Sequence, residues 1–366
     1  MFAGKSYRNI DRTLALVVLI VLALGLSAVF SATHTDGSVA KREGLFMRQV
    51  FWVLAGLVLA FIIMSIDYQR FIDASYILFG VTLILLFVVM VKGHTRLGAQ
   101  RWMSIAGFGF QPSEFVKLTF VLVMSSYLGH RAKFTYHISD LVMPFILLGV
   151  PLIMIFMQPD LGTAMLLMPI LFAMLFIRGA RMRHLVGIMS AGILAAPVMW
   201  FMLKSYQRQR LAVFINPNID PLGAGYTIIQ SKIAIGSGFL FGKGWLSGTQ
   251  NQLNFLPERH TDFIFSVVGE EGGFIGCVVL ISLYAVMIYR GLRIIYATGD
   301  TYGKLLATGI VTMLASQIIV NIGMASGFLP VVGVPLPLMS YGGSSLITIL
   351  ASLALLMNIS MRRERF

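Results

Sequence analysis

The segment Asn254 to Asp262 reads Asn-Phe-Leu-Pro-Glu-Arg-His-Thr-Asp and ends in a carboxylate just before a long apolar run. A carboxylate with Arg259 and His260 beside it, closing the one long polar segment of the chain, makes this the stretch that would carry chemistry. The pattern also has a structural reading, in which Thr261 caps the following helix and Asp262 sits in its first turn, where the dipole favours an acid. A second constellation opens another apolar run: Gln111-Pro112-Ser113-Glu114, with Pro at a favourable first helical position and Lys117 three residues after Glu114 on the same face. It reads either as a local ion pair or as the polar wall of a cavity open to the outside. Just upstream, Arg96, Arg101 and Trp102 fall at the same level, and an aromatic-belt residue is the simplest account of Trp102. Asp160, in a very short turn, reads as a helix cap. Glu270 and Glu271 stand inside an apolar run before Gly272-Gly273 and must find partners, or at least one is protonated. The glycine-rich stretch Gly236 to Gly244 with Lys243 could bring amides to a phosphate, but without a strand-turn-helix context a flexible turn is the simpler account.

The elements that must position these groups are apolar. Of 366 residues 57% are hydrophobic and 12% charged, and the mean hydropathy is +0.84. A soluble domain carries about twice that charge, so the composition is that of a polytopic membrane protein. Apolar runs fall at about 14–32, 50–66, 74–91, 112–129, 141–157, 161–177, 185–203, 263–289, 305–328 and 344–361, each close to the roughly 20 residues that cross a bilayer. Lipid offers no partner to an unpaired backbone, so the expected fold is all-α. It is a single integral membrane domain over residues 1–366, a bundle of about ten transmembrane helices with both termini cytoplasmic. One long polar outer loop, 204–262, joins the seventh and eighth helices. The first run follows Lys5, Arg8 and Arg12 as a signal sequence does, but bulky residues near Val29-Phe30-Ser31-Ala32 argue for an uncleaved first span.

Cytoplasmic termini place Arg131, Lys133, Arg178, Arg181, Arg183, Arg290, Arg293, Lys304, Arg362, Arg363 and Arg365 on one side of the membrane. Lys41, Arg42, Arg48, Lys92, Arg96, Arg101 and the cations of 204–262, Lys204 among them, fall on the other, an excess that an anionic ligand there would explain. The net charge of +13 is scattered among short loops without a basic face, so lipid head groups and phosphates are the expected anionic partners and nucleic acid is not. The single cysteine, Cys277, excludes an intrachain disulfide and a cysteine metal site. Leu329 to Pro337, running into Ser340 to Ser345, is backbone that cannot face lipid and must line a cavity or pack on protein. No pair of matching halves is visible, which weakens a transporter reading.

Several motifs together resemble the shape, elongation, division and sporulation family of membrane glycosyltransferases. They are Gly98-Ala99-Gln100-Arg101-Trp102, Gln111 to Glu114, Gln158-Pro159-Asp160-Leu161-Gly162-Thr163, Tyr206 to Arg210, Asp220 to Tyr226 (Ala224 among them), Leu256 to Phe265, and Leu329 to Gly343. The resemblance implies a peptidoglycan glycosyltransferase that polymerises lipid II at the outer face of the cytoplasmic membrane during cell elongation. It also implies that Asp262 is indispensable, and that partners include a class B penicillin-binding protein transpeptidase, the nascent glycan and other elongation-complex membrane proteins. The residues suit that task. Asp262 is the expected base, and Arg101, Trp102, Glu114, Lys117, Asp160, Arg208, Arg210, Arg259 and His260 are the expected substrate-binding set. A diphosphate leaves without protonation but needs positive charge, from these cations or from a divalent ion such as magnesium or manganese. An aspartate near its ordinary pKa of about 3.9 is a weak base, so its surroundings must raise it or the proton must move late. The competing function is a flippase or transporter of the same lipid-linked precursor, which needs a polar path to the cytoplasmic face; the motifs cluster at the outer one.

Overall fold

Each apolar run becomes a helix, and the polar residues between them fold into shorter elements. The computed structural model of the protein describes residues 10–34, 39–96, 99–105, 108–131, 138–158, 160–202, 205–223 and 225–362. Of the residues named above, Lys5, Arg8, Gly98, Lys133, Pro159, Lys204, Ala224, Arg363 and Arg365 lie outside the described residues, as do the side chains of Lys41, Arg42, Arg96, Gln100 and Tyr206. The helices are α1 (Arg12–Thr33), α2 (Val39–Ser65), α3 (Tyr68–Asp73), α4 (Ser75–Lys92), α5 (Pro112–His130), α6 (Val142–Met157), α7 (Leu161–Arg178), α8 (Met182–Met202), α9 (Ser205–Ile215), α10 (Tyr226–Ser237), α11 (Thr249–Gln252), α12 (Ile264–Ala297), α13 (Thr301–Ala325) and α14 (Gly343–Arg362).

The chain is an all-α, multi-pass membrane protein: among the described residues eight helices are long and apolar enough to cross a bilayer. α5 and α8 also occupy expected runs, and α5 falls short of that apolarity. α5 carries Glu114, Lys117 and several Ser and Thr, and it can carry them because α4, α6, α7, α13 and α14 wrap it and bury nearly every side chain. α8 packs on α7. Small residues let the central helices close on one another, as packing in lipid requires. A Cβ on Gly309 of α13 would lie 2.4 Å from Val121 of α5 and 3.0 Å from Met174 of α7.

Three features depart from the expected arrangement. Residues 204–262 are not a plain loop: α9, α10 and α11 lie in them, and α10 packs against α12 and α13. Between α4 and α5 the chain forms an antiparallel meander of β1 (His94–Arg96), β2 (Ala99–Ile105) and β3 (Phe108–Phe110), pairing His94 with Trp102 and Met103 with Phe110. Strands this short leave no trace in a search for apolar runs, yet β2 carries Arg101 and Trp102. α12 has 34 residues, about 51 Å at the helical rise, well beyond the roughly 30 Å of a hydrocarbon core. It is broken at Gly273, whose φ of 62° and ψ of −161° only glycine adopts without strain.

Candidate active site

Asp262 owes its place to a tight turn. After Pro257, Glu258 takes a left-handed conformation with φ 51°, a costly state for a side-chain-bearing residue. The reversal aims three successive amides at one carbonyl: the N–H groups of Thr261, Asp262 and Phe263 donate to the Glu258 oxygen at 3.1, 3.1 and 3.3 Å. The expected helix cap is not made. Thr261 Oγ1 donates to the carbonyl and carboxylate of Glu258 at 3.2 and 3.1 Å, and α12 starts only at Ile264, so Asp262 stands ahead of the helix.

Each residue of this turn is then tied to a different part of the bundle. Arg259 Nε donates to the Ala32 carbonyl at the end of α1 (2.7 Å), and the His260 carbonyl accepts from the Tyr341 N–H (2.8 Å). The Thr261 carbonyl accepts from Ser340 Oγ (2.6 Å), and the Asp262 carbonyl from Asn321 Nδ2 of α13 (2.9 Å). Asn321 also donates to the Val334 carbonyl at 2.7 Å, so one amide holds Asp262 against the Leu329 to Pro337 segment. That segment indeed lines a cavity. Gly333, with φ 74°, faces the Asp262 carboxylate, where a Cβ would lie 3.4 Å from Oδ2.

The cavity has a volume of about 610 Å³. It brings together five of the expected residues: Asp262, His260, Arg101, Trp102 and Arg210. It also adds residues that were not expected, chiefly Arg48 and Trp52 from α2, Glu258, and Tyr341. Arg48 and Trp52 are four residues apart on a helix and so share a face, a signal present in the sequence but without depth information to single it out.

The other expected residues lie elsewhere. Asp160 is buried behind the wall, where it caps α7 through Thr163 (N–H 3.3 Å, Oγ1 3.1 Å) and accepts from Gln111 (3.3 Å) and Ser113 (3.2 Å). Arg101 approaches it at 3.7 Å and donates to the Gln158 carbonyl at 3.2 Å, so Asp160 orients two cavity residues without lining the cavity. Glu114 and Lys117 form a 2.9 Å ion pair deep in the bundle, and of their two readings the local pair is the one realised. Arg208 donates to the Phe201 carbonyl at 2.7 Å, and Arg259 is buried against α1; neither lines the cavity.

The Asp262 carboxyl is pushed up to about 7. Burial is the main cause, and the Glu258 carboxylate adds to it; the Arg210 and Arg101 guanidinium groups and the Asp160 carboxylate act more weakly, the first two downward. A group poised near neutrality can accept a proton and release it again, which answers the weak-base difficulty. Among the described residues no three of His, Cys, Asp and Glu gather in a set that could hold a metal ion.

The profile of the cell cycle protein family of FtsW, RodA and SpoVE matches residues 11–365. This chain belongs to that family. The peptidoglycan glycosyltransferase MrdB of Escherichia coli (strain K12) is 41% identical over 360 residues, spanning 97% of this chain and 95% of that one. A chain from a solved structure described as "Structural coordination of polymerization and crosslinking by a peptidoglycan synthase complex" superposes with a TM-score of 0.83 at 33% identity, covering 98% of this chain and 100% of the other. The crystal structure of the rod shape determining protein RodA of Thermus thermophilus superposes with a TM-score of 0.73 at 30% identity, covering 98% and 99%. The family match thus runs through every element that builds the cavity.

Proposed function

We propose that the chain is a peptidoglycan glycosyltransferase that polymerises lipid II into glycan strands, with Asp262 as general base. The observation that carries this reading is one carboxylate with a pKa near 7, in a cavity walled by Arg48, Arg101 and Arg210. Family membership and the names of the relatives support it. The 4-hydroxyl of the acceptor sugar attacks the anomeric carbon of the donor. As the new C–O bond forms, Asp262 takes the hydroxyl proton, the bond from the anomeric carbon to the lipid diphosphate breaks, and the diphosphate departs as an anion. That anion needs no proton but does need positive charge, which the three guanidinium groups supply. Trp52, Trp102 and Tyr341 offer flat faces to the sugars. Asp262 returns its proton to water before the next addition.

A divalent cation fits this arrangement only as an ion shared with substrate. Glu258 and Asp262 line the same cavity, and magnesium-like ions are commonly held by one or two carboxylates together with substrate phosphates. When bound, such an ion neutralises charge on the departing diphosphate. The proposal places the protein in the cytoplasmic membrane with the cavity on the outer face, about ten crossings and both termini inside. Its partners are a class B penicillin-binding protein, as the likeness to a peptidoglycan synthase complex supports, and other membrane proteins of the elongation machinery.

The test is polymerisation of purified lipid II by the purified chain with a class B partner, wild type against Asp262→Ala, with and without chelator. Polymer from wild type alone is the expected result, and the chelator arm reports whether a cation is required. A folded, partner-bound wild type that makes none would overturn the reading and turn attention to lipid flipping in vesicles.

A further inference from the structure

Glu270 and Glu271 have no part in the chemistry above, yet the chain is built around them. Glu270 is 1% exposed and its carboxylate accepts from Lys243 Nζ at 2.8 Å, Thr249 Oγ1 at 3.2 Å, and the N–H groups of Gln250 and Asn251 at 2.9 and 3.2 Å. The backbone repeats the attachment. Lys243 N–H donates to the Glu270 carbonyl at 3.0 Å and Gly244 N–H to the Glu271 carbonyl at 3.1 Å, while Phe274 and Ile275 N–H donate to Phe239 and Leu240 at 2.8 and 3.1 Å. Residues 239–244 therefore take over the helix-ladder bonds that the break at Gly273 leaves unmade. The fit is close: a Cβ on Gly242 would lie 2.0 Å from the Glu271 carbonyl oxygen. Glu271 accepts from the Ser31 hydroxyl, and Asn251 Nδ2 donates to the Ser31 carbonyl at 3.2 Å, so α1 joins the same junction.

This junction is the far end of the segment that begins at Asp262. From Ile264 to Glu270 the chain runs as a short helical piece, about 9 Å long at the helical rise, with Asp262 in the turn just ahead of it. Gly273 breaks α12 just after that piece, and residues 239–244 bond to both sides of the break. The direction of the piece is set by the hydrogen bonds at 259–262, by α10 along its length, where the Ser231 and Ser266 hydroxyls meet at 2.6 Å, and by the Lys243–Glu270 junction at its far end. A shift of about 1 Å in a reacting group can cost a hundredfold in rate, so a grip of this kind bears directly on the base.

We propose that Lys243 and Glu270 form a latch that positions Asp262 in the cavity. They are positioning residues that touch no substrate, and the proposal rests on the polymerase reading given above. A purely structural ion pair predicts something else: lower thermal stability with unchanged turnover per folded molecule. Lys243 is the better handle, because 27% of its side chain is exposed and its loss leaves Glu270 with three other donors.

Lys243→Ala, Glu270→Gln and Lys243→Arg are to be compared with wild type in lipid II polymerisation with the class B partner, over a range of pH and alongside thermal unfolding in detergent. Lys243→Ala and Glu270→Gln are expected to lower kcat about tenfold with KM within about twofold, and to move the acidic limb of the pH profile. Lys243→Arg, which keeps the charge and donors, is expected to recover most of kcat. Unchanged kcat per folded molecule at every pH in the first two variants, whatever their thermal midpoints, overturns the latch alone. A wild type that makes no polymer ends both this proposal and the reading beneath it.

Discussion

At the end of the bundle away from the cavity, carboxylates are matched: Asp11 accepts from Arg290 at 2.9 and 3.1 Å, Asp67 from Arg362 at 3.0 Å, and Asp300 from the Tyr68 hydroxyl at 2.9 Å while also capping α13. At the cavity end, Asp160 is matched in the same way, but the Asp262 carboxylate forms no ion pair among the described residues. Its nearby guanidinium groups act at a distance, and burial wins over them. A matched carboxylate fastens helices; an unmatched one, part-buried beside cations, is kept ready to exchange a proton. The contrast explains how a chain with few acids can spend most of them on architecture and still hold one for chemistry.

The largest effect should come from the unmatched acid. Asp262→Asn is expected to lower polymerisation about 10²–10⁴-fold, the range of a lost general base, without loss of fold. In wild type the rate should rise with pH through about 7 as Asp262 ionises, and no such limb should remain in whatever activity the Asn variant retains. Stability should run the other way. A carboxyl whose folded pKa lies above its unfolded value contributes most below the unfolded pKa and loses that contribution as pH rises toward 7. Asp262→Asn should therefore raise the unfolding temperature relative to wild type more at pH 8 than at pH 4. An equal shift at both would mean that Asp262 is not raised in the folded protein.

The Glu114–Lys117 and Asp11–Arg290 pairs, when broken, should lose stability and keep turnover per folded molecule. Glu114 and Lys117 are both fully enclosed, so Lys117→Ala strands a buried carboxylate and should cost about 3–5 kcal/mol in unfolding measurements. Replacing both by apolar residues should recover much of that loss, and purely additive costs in the double variant would break the pairing argument. At the far end Asp11→Ala should cost less, about 2–3 kcal/mol, because the Arg290 side chain is 22% exposed and its charge can turn to water.

The same contrast separates what was legible in the sequence from what was not. Apolar runs announce membrane helices because lipid imposes one length and one composition, and Asp262, Arg101 and His260 stood out as charged residues grouped near the rim. Depth was not legible. Glu114 and Lys117 share a face at any depth, and only the wrapping of α5 decides that they are a buried pair. Nor were the cavity roles of Arg48 and Trp52, which depend on α2 lying along α14, where a Cβ on Gly343 would come within 2.4 Å of the Trp52 ring. Glu270 announced that it needed a partner, but that partner, Lys243, reaches it through the break at Gly273, which local pattern does not reveal.

Thr261→Ala tests the contrast at its weakest point. Beside Asp262, a helix-capping threonine would be worth about 1 kcal/mol. In this fold the Thr261 hydroxyl is exposed and bonds only within its own turn, to the carbonyl and carboxylate of Glu258, and α12 begins without a side-chain cap. Exposed polar contacts of this kind contribute within about 0.5 kcal/mol, so the unfolding temperature should scarcely move. Activity is the more sensitive readout. Thr261 donates to one of the Glu258 oxygens, and Glu258 is the acid that does most to raise the Asp262 carboxyl. Removing the hydroxyl should leave that carboxylate freer to turn toward water and lower the apparent pKa of the rate limb slightly, with the maximal rate nearly unchanged. A loss of stability near 1 kcal/mol would instead mean that Thr261 does cap α12, and that Asp262 belongs to the helix after all.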